Sequence, residues 1–301
     1  MKLSLIFSIL LVCCMFAKAQ DDLLGDLEKL EPPSKQLTTS TFKGTRLVNG
    51  QSVETKHKGE LEFIFAHRFG RINDGIYELF GLDQAYVRIG LEYGITDKLG
   101  IGIGRNSVDK TMDGFVRYKI LQQSSGSKAM PFTITAFGNM AIRTSPRKED
   151  ATFDITLEDR ISYTGQLLIA RKFSPKLSLQ LMPTIIHKNT VDQTIENNDQ
   201  FAVGVGGRIK VSKSVALTSE YYYRFDAPAG NLYYNPLGFG VDIETGGHVF
   251  QLVLTNTRGL TERAFISETE GDFFAGDLHL GFNVRPKPTW AGHPRTRTRP
   301  C

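Results

Sequence analysis

The feature that most constrains this chain is an alternation of apolar and polar residues that recurs along most of its length. The run "AYVRIGLEYGI", residues 85–95, shows the pattern. One face carries Ala85, Val87, Ile89, Leu91, Tyr93 and Ile95; the other carries Tyr86, Arg88, Gly90, Glu92 and Gly94. A period of two is that of a β-strand with one apolar face.

The glycines of the next run, "LGIGIGRN", raise the question of a phosphate-binding loop. Pairing Ile95 with Leu99 across a three-residue turn aligns the apolar faces of the two runs. Gly100, Gly102 and Gly104 then lie together on the opposite face of a strand, where they leave room for larger neighbours. Their spacing is not that of a dinucleotide-binding loop, and no helix signal follows them. The pattern therefore indicates a strand rather than a nucleotide site.

About twelve such runs follow one another, and they predict the fold class. An even number of strands of roughly ten residues, with short turns alternating with longer loops, is typical of an outer-membrane barrel. Short turns follow the second, sixth, eighth and tenth runs; the short link at 108–110 and the longer one at 122–129 are exceptions. We predict an all-β, transmembrane, antiparallel up-and-down β-barrel of about 12 strands, over a soluble β-sandwich, whose strands are usually shorter. The runs lie near residues 56–68, 84–95, 99–107, 111–121, 130–143, 159–173, 177–188, 200–211, 215–225, 237–244, 248–257 and 273–284.

The two ends of the chain predict export and a simple division into segments. Residues 1–19 read as a signal peptide, with an apolar core and an A-x-A cleavage site. We predict a periplasmic segment at 20–55, the barrel at 56–284 and a basic Pro/Arg-rich tail at 285–301. The net charge of +4 falls to +2 when the signal peptide is removed, and the basic residues of the tail account for the whole of this remaining positive charge. The basic balance thus gives no case for nucleic-acid binding.

The sequence also resembles a known family. Residues 41–121, from "TFKGTRLVNGQ" to "GFVRYKIL", and residues 248–266, "HVFQLVLTNTRGLTERAFI", are similar to a family of Gram-negative β-barrel proteins called domain of unknown function 5777. The similarity covers about residues 38–284. It implies an outer-membrane barrel, and it implies no activity, ligand or catalytic residue.

The candidate functional residues are the polar side chains that alternation directs into the barrel. We expect Val205 to face lipid and Arg208 to face the lumen, where Glu220 lies diagonally across from Arg208 and within reach of it if Val211 opposes Val215. Mixed charges of this kind are consistent with a narrow pore and with a salt-bridged, filled interior. The predicted lumen-lining residues are Arg88, Glu92, Arg117, Lys119, Arg208, Lys210, Glu220, Arg224, Asp242 and Glu244.

No residue pattern indicates catalysis, a cofactor or a metal site. His67, His187, His248 and His279 lie in or near strands, and the sequence alone brings no serine and acid to any of them. No H-x-x-H pair or Asp-rich calcium loop is present. The prediction is therefore a protein that is not an enzyme.

The predicted role is passage of small polar solutes or anchoring of an envelope assembly, in the outer membrane of a Gram-negative cell. The alternatives are a lipid-active outer-membrane enzyme and a closed structural or docking barrel. The expected partners are outer-membrane lipid, the barrel-insertion machinery and periplasmic envelope proteins, with no nucleic acid.

Overall fold

The chain forms a closed antiparallel barrel of twelve strands. The computed structural model describes residues 34–145, 156–225, 227–228, 230–245 and 248–286. The predicted signal peptide and most of the predicted tail lie outside these residues. The barrel strands are β1 (Leu61–Arg71), β2 (Ala85–Gly94), β3 (Leu99–Asn106), β4 (Met112–Leu121), β5 (Thr133–Ile142), β6 (Ile161–Lys172), β7 (Leu177–Lys188), β8 (Asp199–Lys210), β9 (Val215–Arg224), β10 (Leu237–Thr245), β11 (His248–Thr255) and β12 (His279–Pro286).

Each strand pairs with its neighbour in sequence, and β12 pairs with β1 to close the barrel. The predicted fold class is thereby confirmed. The predicted register of the β2–β3 hairpin is also confirmed, because Gly94 lies opposite Gly100. Across the β12–β1 seam Phe282 lies opposite His67, and the register shifts between His279 and Gly281. No helix among the described residues is long and apolar enough to cross a membrane.

The two ends of the barrel differ in their connections. At one end, here called the turn end, the connections are residues 95–98, 122–132, 173–176 and 211–214. The opposite end, here called the loop end, carries the described residues 72–84, 107–111, 143–145, 156–160, 189–198, 225, 227–228, 230–236 and 256–278. At the turn end, Ser124–Ser125 of the connection 122–132 pairs with Gln36–Leu37 to form a small two-stranded sheet outside the barrel sheet.

The position of residues 41–56 differs from the predicted periplasmic segment. This stretch, here called the luminal hairpin, enters the barrel at the turn end and returns to the same end before β1 begins. Its two arms pair at Arg46 and Gln51, and the amide of Leu47 donates a hydrogen bond to the carbonyl of Gly50 at 2.8 Å. Almost all of its side chains are buried. Residues 41–55, which the sequence analysis placed in the periplasm because they precede the alternating runs, therefore lie inside the barrel.

The last strand also extends further than its sequence pattern indicated. Arg285 and Pro286, assigned to the tail by composition, belong to β12. Arg285 is buried inside the barrel, where its guanidinium donates to the carbonyls of Arg46 and Leu47 at 2.9 and 3.2 Å. A basic residue in a Pro/Arg-rich stretch is typical of a solvated tail. Arg285 is buried instead because the carbonyl groups of the hairpin accept its hydrogen bonds.

The outer face of the barrel gives a direct test of the membrane-spanning assignment. Val205 lies near the middle of β8 and is 51% exposed on the outer face. Val205→Arg is expected to lower the stability of the folded barrel in bilayers by about 2–4 kcal/mol, because a charge then faces hydrocarbon. Urea titration in lipid vesicles, followed by gel mobility without boiling, measures this. Val205→Leu is the matched control and should fold like the wild type; equal folding of Val205→Arg would contradict the assignment.

Candidate functional site: the filled lumen

The structure places most of the predicted lumen-lining residues in the barrel interior beside the luminal hairpin. Six are buried: Arg88, Glu92, Arg117, Lys119, Glu220 and Asp242. Four are half-buried, and these lie nearer the barrel ends: Arg208, Lys210, Arg224 and Glu244. The interior is thus rich in charge of both signs, and the arrangement of these charges around the hairpin determines what the site can do.

Glu220 on β9 holds the tip of the hairpin. Its carboxylate accepts hydrogen bonds from the backbone amides of Val48 at 3.1 Å, Asn49 at 2.7 Å and Gly50 at 3.0 Å. Such bonds to a charged acceptor are stronger than neutral ones. A Cβ at Gly50 would collide with the hydroxyl of Tyr222, so the tip needs glycine for close approach to the wall.

Arg117 on β4 holds both arms of the hairpin from the other side. Its guanidinium donates to the carbonyls of Thr45 and Glu54 at 3.2 and 2.9 Å, and to the side-chain oxygen of Gln51 at 2.6 Å. The same group forms a salt bridge of 3.0 Å with Glu92, and neither side chain is exposed to solvent. One cation therefore links two strands of the wall to three points of the hairpin.

Amide side chains that the sequence analysis did not single out complete the attachment. Gln180 accepts a hydrogen bond from the amide of Val53 at 2.9 Å and donates to the carbonyl of Gln51 at 2.7 Å. Asn283 donates to the carbonyl of Val48 at 2.9 Å. Buried backbone groups need partners, and here the wall supplies them in place of a β-ladder. In the sequence, these uncharged polar residues lie at positions that alternation directs into the barrel. Alternation alone does not show whether such residues line an open pore or bind a segment inside it.

One side of the lumen is apolar. The hairpin residues Phe42, Leu47 and Val53 pack in a buried cluster with wall residues, and the hydroxyl of Tyr222 lies 3.1 Å from the sulfur of Met182. Burial of apolar side chains gives the hairpin a hydrophobic anchor in addition to its hydrogen bonds. The cluster comprises Phe42, Leu47, Val53, Phe115, Phe137, Leu168, Ala170, Met182, Ile186, Ala202, Tyr222, Phe265 and Ile266.

A second segment enters the lumen from the loop end. Residues 256–271, here called the inserted loop, are mostly buried and contain a single π-helical turn, Arg263–Ser267. The carboxylate of Glu262 accepts a hydrogen bond from the side chain of Gln51 at 2.5 Å and lies 3.5 Å from the guanidinium of Arg46. The hairpin and the inserted loop therefore meet inside the barrel and fill part of its lumen.

Arg208 lies diagonally across from Glu220, as expected, but does not pair with it. Arg208 instead bridges to β10, where it binds Asp242 at 3.0 Å and Glu244 at 2.6 Å. The strand register is as expected, since Lys210 lies opposite Ala216 and Gly206 lies opposite Glu220. The long side chain of Arg208 reaches past β9 to two carboxylates, while Glu220 is occupied by the hairpin amides. The sequence analysis considered only the hairpin of β8 and β9 and did not include the carboxylates on β10.

The histidines of the described chain lie in ordinary polar or aromatic surroundings. His187 contacts Asp199 at 2.7 Å and His57 contacts Asp97 at 3.3 Å, both on exposed sites. The ring of His67 stacks on Phe282 with centroids 5.1 Å apart. In the described segments, none of these three rings hydrogen-bonds a serine, and no group of three His, Cys, Asp or Glu residues could hold a metal ion. These surroundings suggest no nucleophile.

The inserted loop is fastened at the loop end by an ion cluster that is expected to respond to acid. Glu268 binds Lys188 at 2.7 Å and Arg263 at 2.5 and 2.6 Å. Burial alone would raise the pKa of Glu268 above its ordinary value of 4.5, but the charges of Arg263 and Lys188 outweigh burial and lower the pKa to about 2. A carboxylate with a lowered pKa stabilises the fold above its ordinary pKa and loses that effect as the pH falls.

Acidification from about pH 4.5 to about pH 2 is therefore expected to remove up to roughly 3 kcal/mol of stability from this cluster. The melting temperature, measured by circular dichroism across that range, should fall more steeply for the wild type than for Glu268→Gln. Glu270→Gln, which alters an exposed partner of Arg258, should show the same fall of melting temperature with pH as the wild type. Parallel curves for the wild type and Glu268→Gln would contradict the role of this carboxylate.

Comparison with known proteins gives a matching family and several solved structures with partial similarity. No curated protein matches the chain. Among solved structures, the NanC porin gives a TM-score of 0.47 at 8% identity, covering 75% of this chain and 98% of that one. The KdgM porin gives 0.45 at 9% identity, with coverage of 75% and 98%. The COG4313 outer membrane channel from Pseudomonas putida F1 gives 0.44 at 12% identity, with coverage of 78% and 97%.

The family comparison agrees with the architecture. A model of the family described as "Membrane bound beta barrel domain (DUF5777)" matches residues 42–286. The match begins in the luminal hairpin and ends with the last residue of β12. It therefore takes in both the barrel and the segment that fills it. With its closed antiparallel barrel and its apolar outer face, this chain belongs to the membrane-bound β-barrel family called domain of unknown function 5777.

Proposed function

We propose that this protein is a gated outer-membrane channel for small polar solutes, closed at rest by the luminal hairpin. The observation that carries the proposal is that the hairpin enters and leaves at the same end. Thr38 contacts Gln123 at the turn end on the way in, and Gly59 contacts Gly94 at that end on the way out. Such a segment can withdraw without threading the chain through the barrel.

The lumen wall supports the same proposal. The hairpin is held largely by hydrogen bonds to Glu220, Arg117, Gln180 and Asn283. Water can replace these partners when the hairpin leaves, whereas an entirely apolar wall would not tolerate a water-filled state. The inserted loop stays attached to the wall through the salt bridge between Glu268 and Lys188 of β7, so the opened path would be narrow.

A closed barrel that anchors an envelope assembly is the second candidate, and the apolar cluster favours it. Phe42, Leu47 and Val53 lose their packing partners if the hairpin withdraws. Each fully buried large apolar side chain contributes about 1.5–3 kcal/mol. That cost opposes opening and suits a permanently filled interior.

Planar-bilayer recordings distinguish these candidates. We expect the wild type to conduct rarely, and a variant in which a Gly/Ser linker replaces residues 42–55 to give a steady current. A folded deletion variant that never conducts would overturn the channel and leave the closed barrel. Release of fatty acid from phospholipid vesicles by a silent wild type would instead support the lipid-active enzyme. Gel mobility before and after boiling verifies that each sample is folded.

Orientation is tested separately. If the turn end faces the periplasm, an epitope inserted at Asn197, in the connection 189–198, is expected to bind antibody on intact Gram-negative cells. An epitope at Lys213, in the connection 211–214 at the turn end, should bind antibody only after the outer membrane is permeabilised. Binding at Lys213 alone on intact cells would reverse the orientation. Recovery of the protein in the soluble periplasmic fraction would reject the outer-membrane location.

A further inference from the structure

A small cavity lies where the luminal hairpin, the inserted loop and the seam of the barrel meet. The centre of a water-sized sphere has about 10 Å³ in which to move there, which is close to the minimum that one water molecule needs. Four arginines line the cavity, and no acidic residue does: Arg46 from the hairpin and Arg68, Arg88 and Arg285 from the wall. All four are more than nine-tenths buried.

Several donors on these arginines have no hydrogen-bond partner within the described residues. They are Nε and Nη2 of Arg46, Nε of Arg68 and Nη1 of Arg88. A buried donor left without a partner costs about 1–3 kcal/mol, and more when it belongs to a charged group. Native interiors contain few such groups, and each one calls for a partner of some kind. Three of the arginines that line one cavity therefore offer free N–H groups.

The charges around the cavity are also incompletely balanced. Arg88 is paired with Asp113 at 2.5 Å, and Glu262 lies 3.5 Å from Arg46. Among the described residues, Arg68 donates only to neutral oxygens, those of His67, Asn283 and Asn49.

Arg285 likewise donates only to the carbonyls of Arg46 and Leu47. A buried charge without a counter-charge is costly. Asp242 is already paired with Arg208. Glu220 binds neutral amides of the hairpin, so its charge acts on the cavity only from beyond salt-bridge distance.

We propose that this cavity binds one small inorganic anion of halide size, with chloride as the ligand. The anion accepts hydrogen bonds from Arg46, Arg68 and Arg88 and offsets the unbalanced positive charge. Phosphate and carboxylates are too large for a space that admits about one water. A water molecule fits by size and could donate to Asn49 or Asn283, but it carries no negative charge to offset the four guanidinium groups. The inference does not depend on whether the barrel conducts.

Crystallography with bromide tests the site directly. The wild type is refolded and crystallised in sodium bromide, so that the ion can enter before the barrel closes, and data are collected at the bromine edge. An anomalous peak between Arg46, Arg68 and Arg88 is expected. Ordinary water density in the cavity with no anomalous signal would overturn the proposal, and this outcome is decisive without any variant.

Thermal unfolding supplies an independent measurement. Replacing sodium gluconate by sodium chloride at equal ionic strength should raise the wild-type melting temperature by roughly 2–4 °C. Arg68→Met should lose this rise. Arg258→Met, which removes an exposed arginine paired with Glu270, should keep it. A chloride effect of equal size in Arg68→Met would show a general salt effect and would reject the site.

Discussion

Arg117→Met is expected to lower the free energy of unfolding by about 3–5 kcal/mol, the cost of breaking a buried ion pair from one side. The substitution leaves Glu92 buried with no counter-charge. It also removes the donor that serves the carbonyls of Thr45 and Glu54 and the side chain of Gln51. Urea unfolding in lipid vesicles, followed by circular dichroism, gives the stability of wild type and variant.

The double variant Arg117→Met with Glu92→Gln is the informative control. It removes the unpaired charge of Glu92 but still leaves the hairpin acceptors without their arginine donor. It should recover a large part of the lost stability, since paired removal of buried charges is often close to neutral. If the single and double variants were equally unstable, the hairpin contacts rather than the Glu92 pair would carry the effect. If Arg117→Met were as stable as the wild type, the guanidinium would have no structural role.

Glu220→Leu is expected to free the hairpin tip while leaving the barrel folded. The carboxylate accepts hydrogen bonds from three consecutive backbone amides, and bonds to a charged group contribute about 1.5–3 kcal/mol each. Ser52 is fully buried in the hairpin, so a cysteine placed there reports its withdrawal. We expect a water-soluble maleimide to label Ser52→Cys about 100-fold faster when Glu220→Leu is present, equivalent to about 2.7 kcal/mol.

The labelling experiment uses the mature chain in a Cys301→Ser background, because Cys13 and Cys14 lie in the predicted signal peptide and Cys301 is then the remaining native thiol. Glu196→Gln is the matched control, because Glu196 is a half-buried acid that binds Lys188 and not the hairpin. Labelling at the wild-type rate in Glu220→Leu would show that the apolar cluster alone retains the hairpin. That result would also weaken the gated-channel proposal, since the polar contacts would not control opening.

The strands were predictable because a membrane barrel imposes one physical constraint on every strand. Lipid outside and polar groups inside force a period of two, and that period is visible in a single sequence. The run near 177–188 therefore coincides with β7, Leu177–Lys188, without adjustment. The first and last runs fitted less well, because residues 56–60 lead out of the hairpin and residues 273–278 belong to the long connection before β12.

The hairpin could not be predicted in the same way, because its structure depends on contacts distant in sequence. Asn49 meets Glu220 across 171 residues, and no local pattern encodes that meeting. The stretch "TRLVNGQSV" contains an Asn-Gly turn signal, but its flanks do not alternate as strands do. Its polar and apolar residues are matched to a wall with one polar side and one apolar side, so the segment has no single periodic face.

The contact between Arg285 and the hairpin has a consequence for the order of assembly. Residues 41–56 are made before any barrel strand, whereas Arg285 arrives with the final one and closes the seam against β1. The carbonyl of Leu47 also accepts a hydrogen bond from Gln251 of β11, whereas the carbonyl of Arg46 receives its side-chain donor only when β12 is in place. Closing the barrel and completing the attachment of the hairpin therefore depend on the same strand, so a chain truncated before β12 is expected to lose both the seam and the Arg285 contacts.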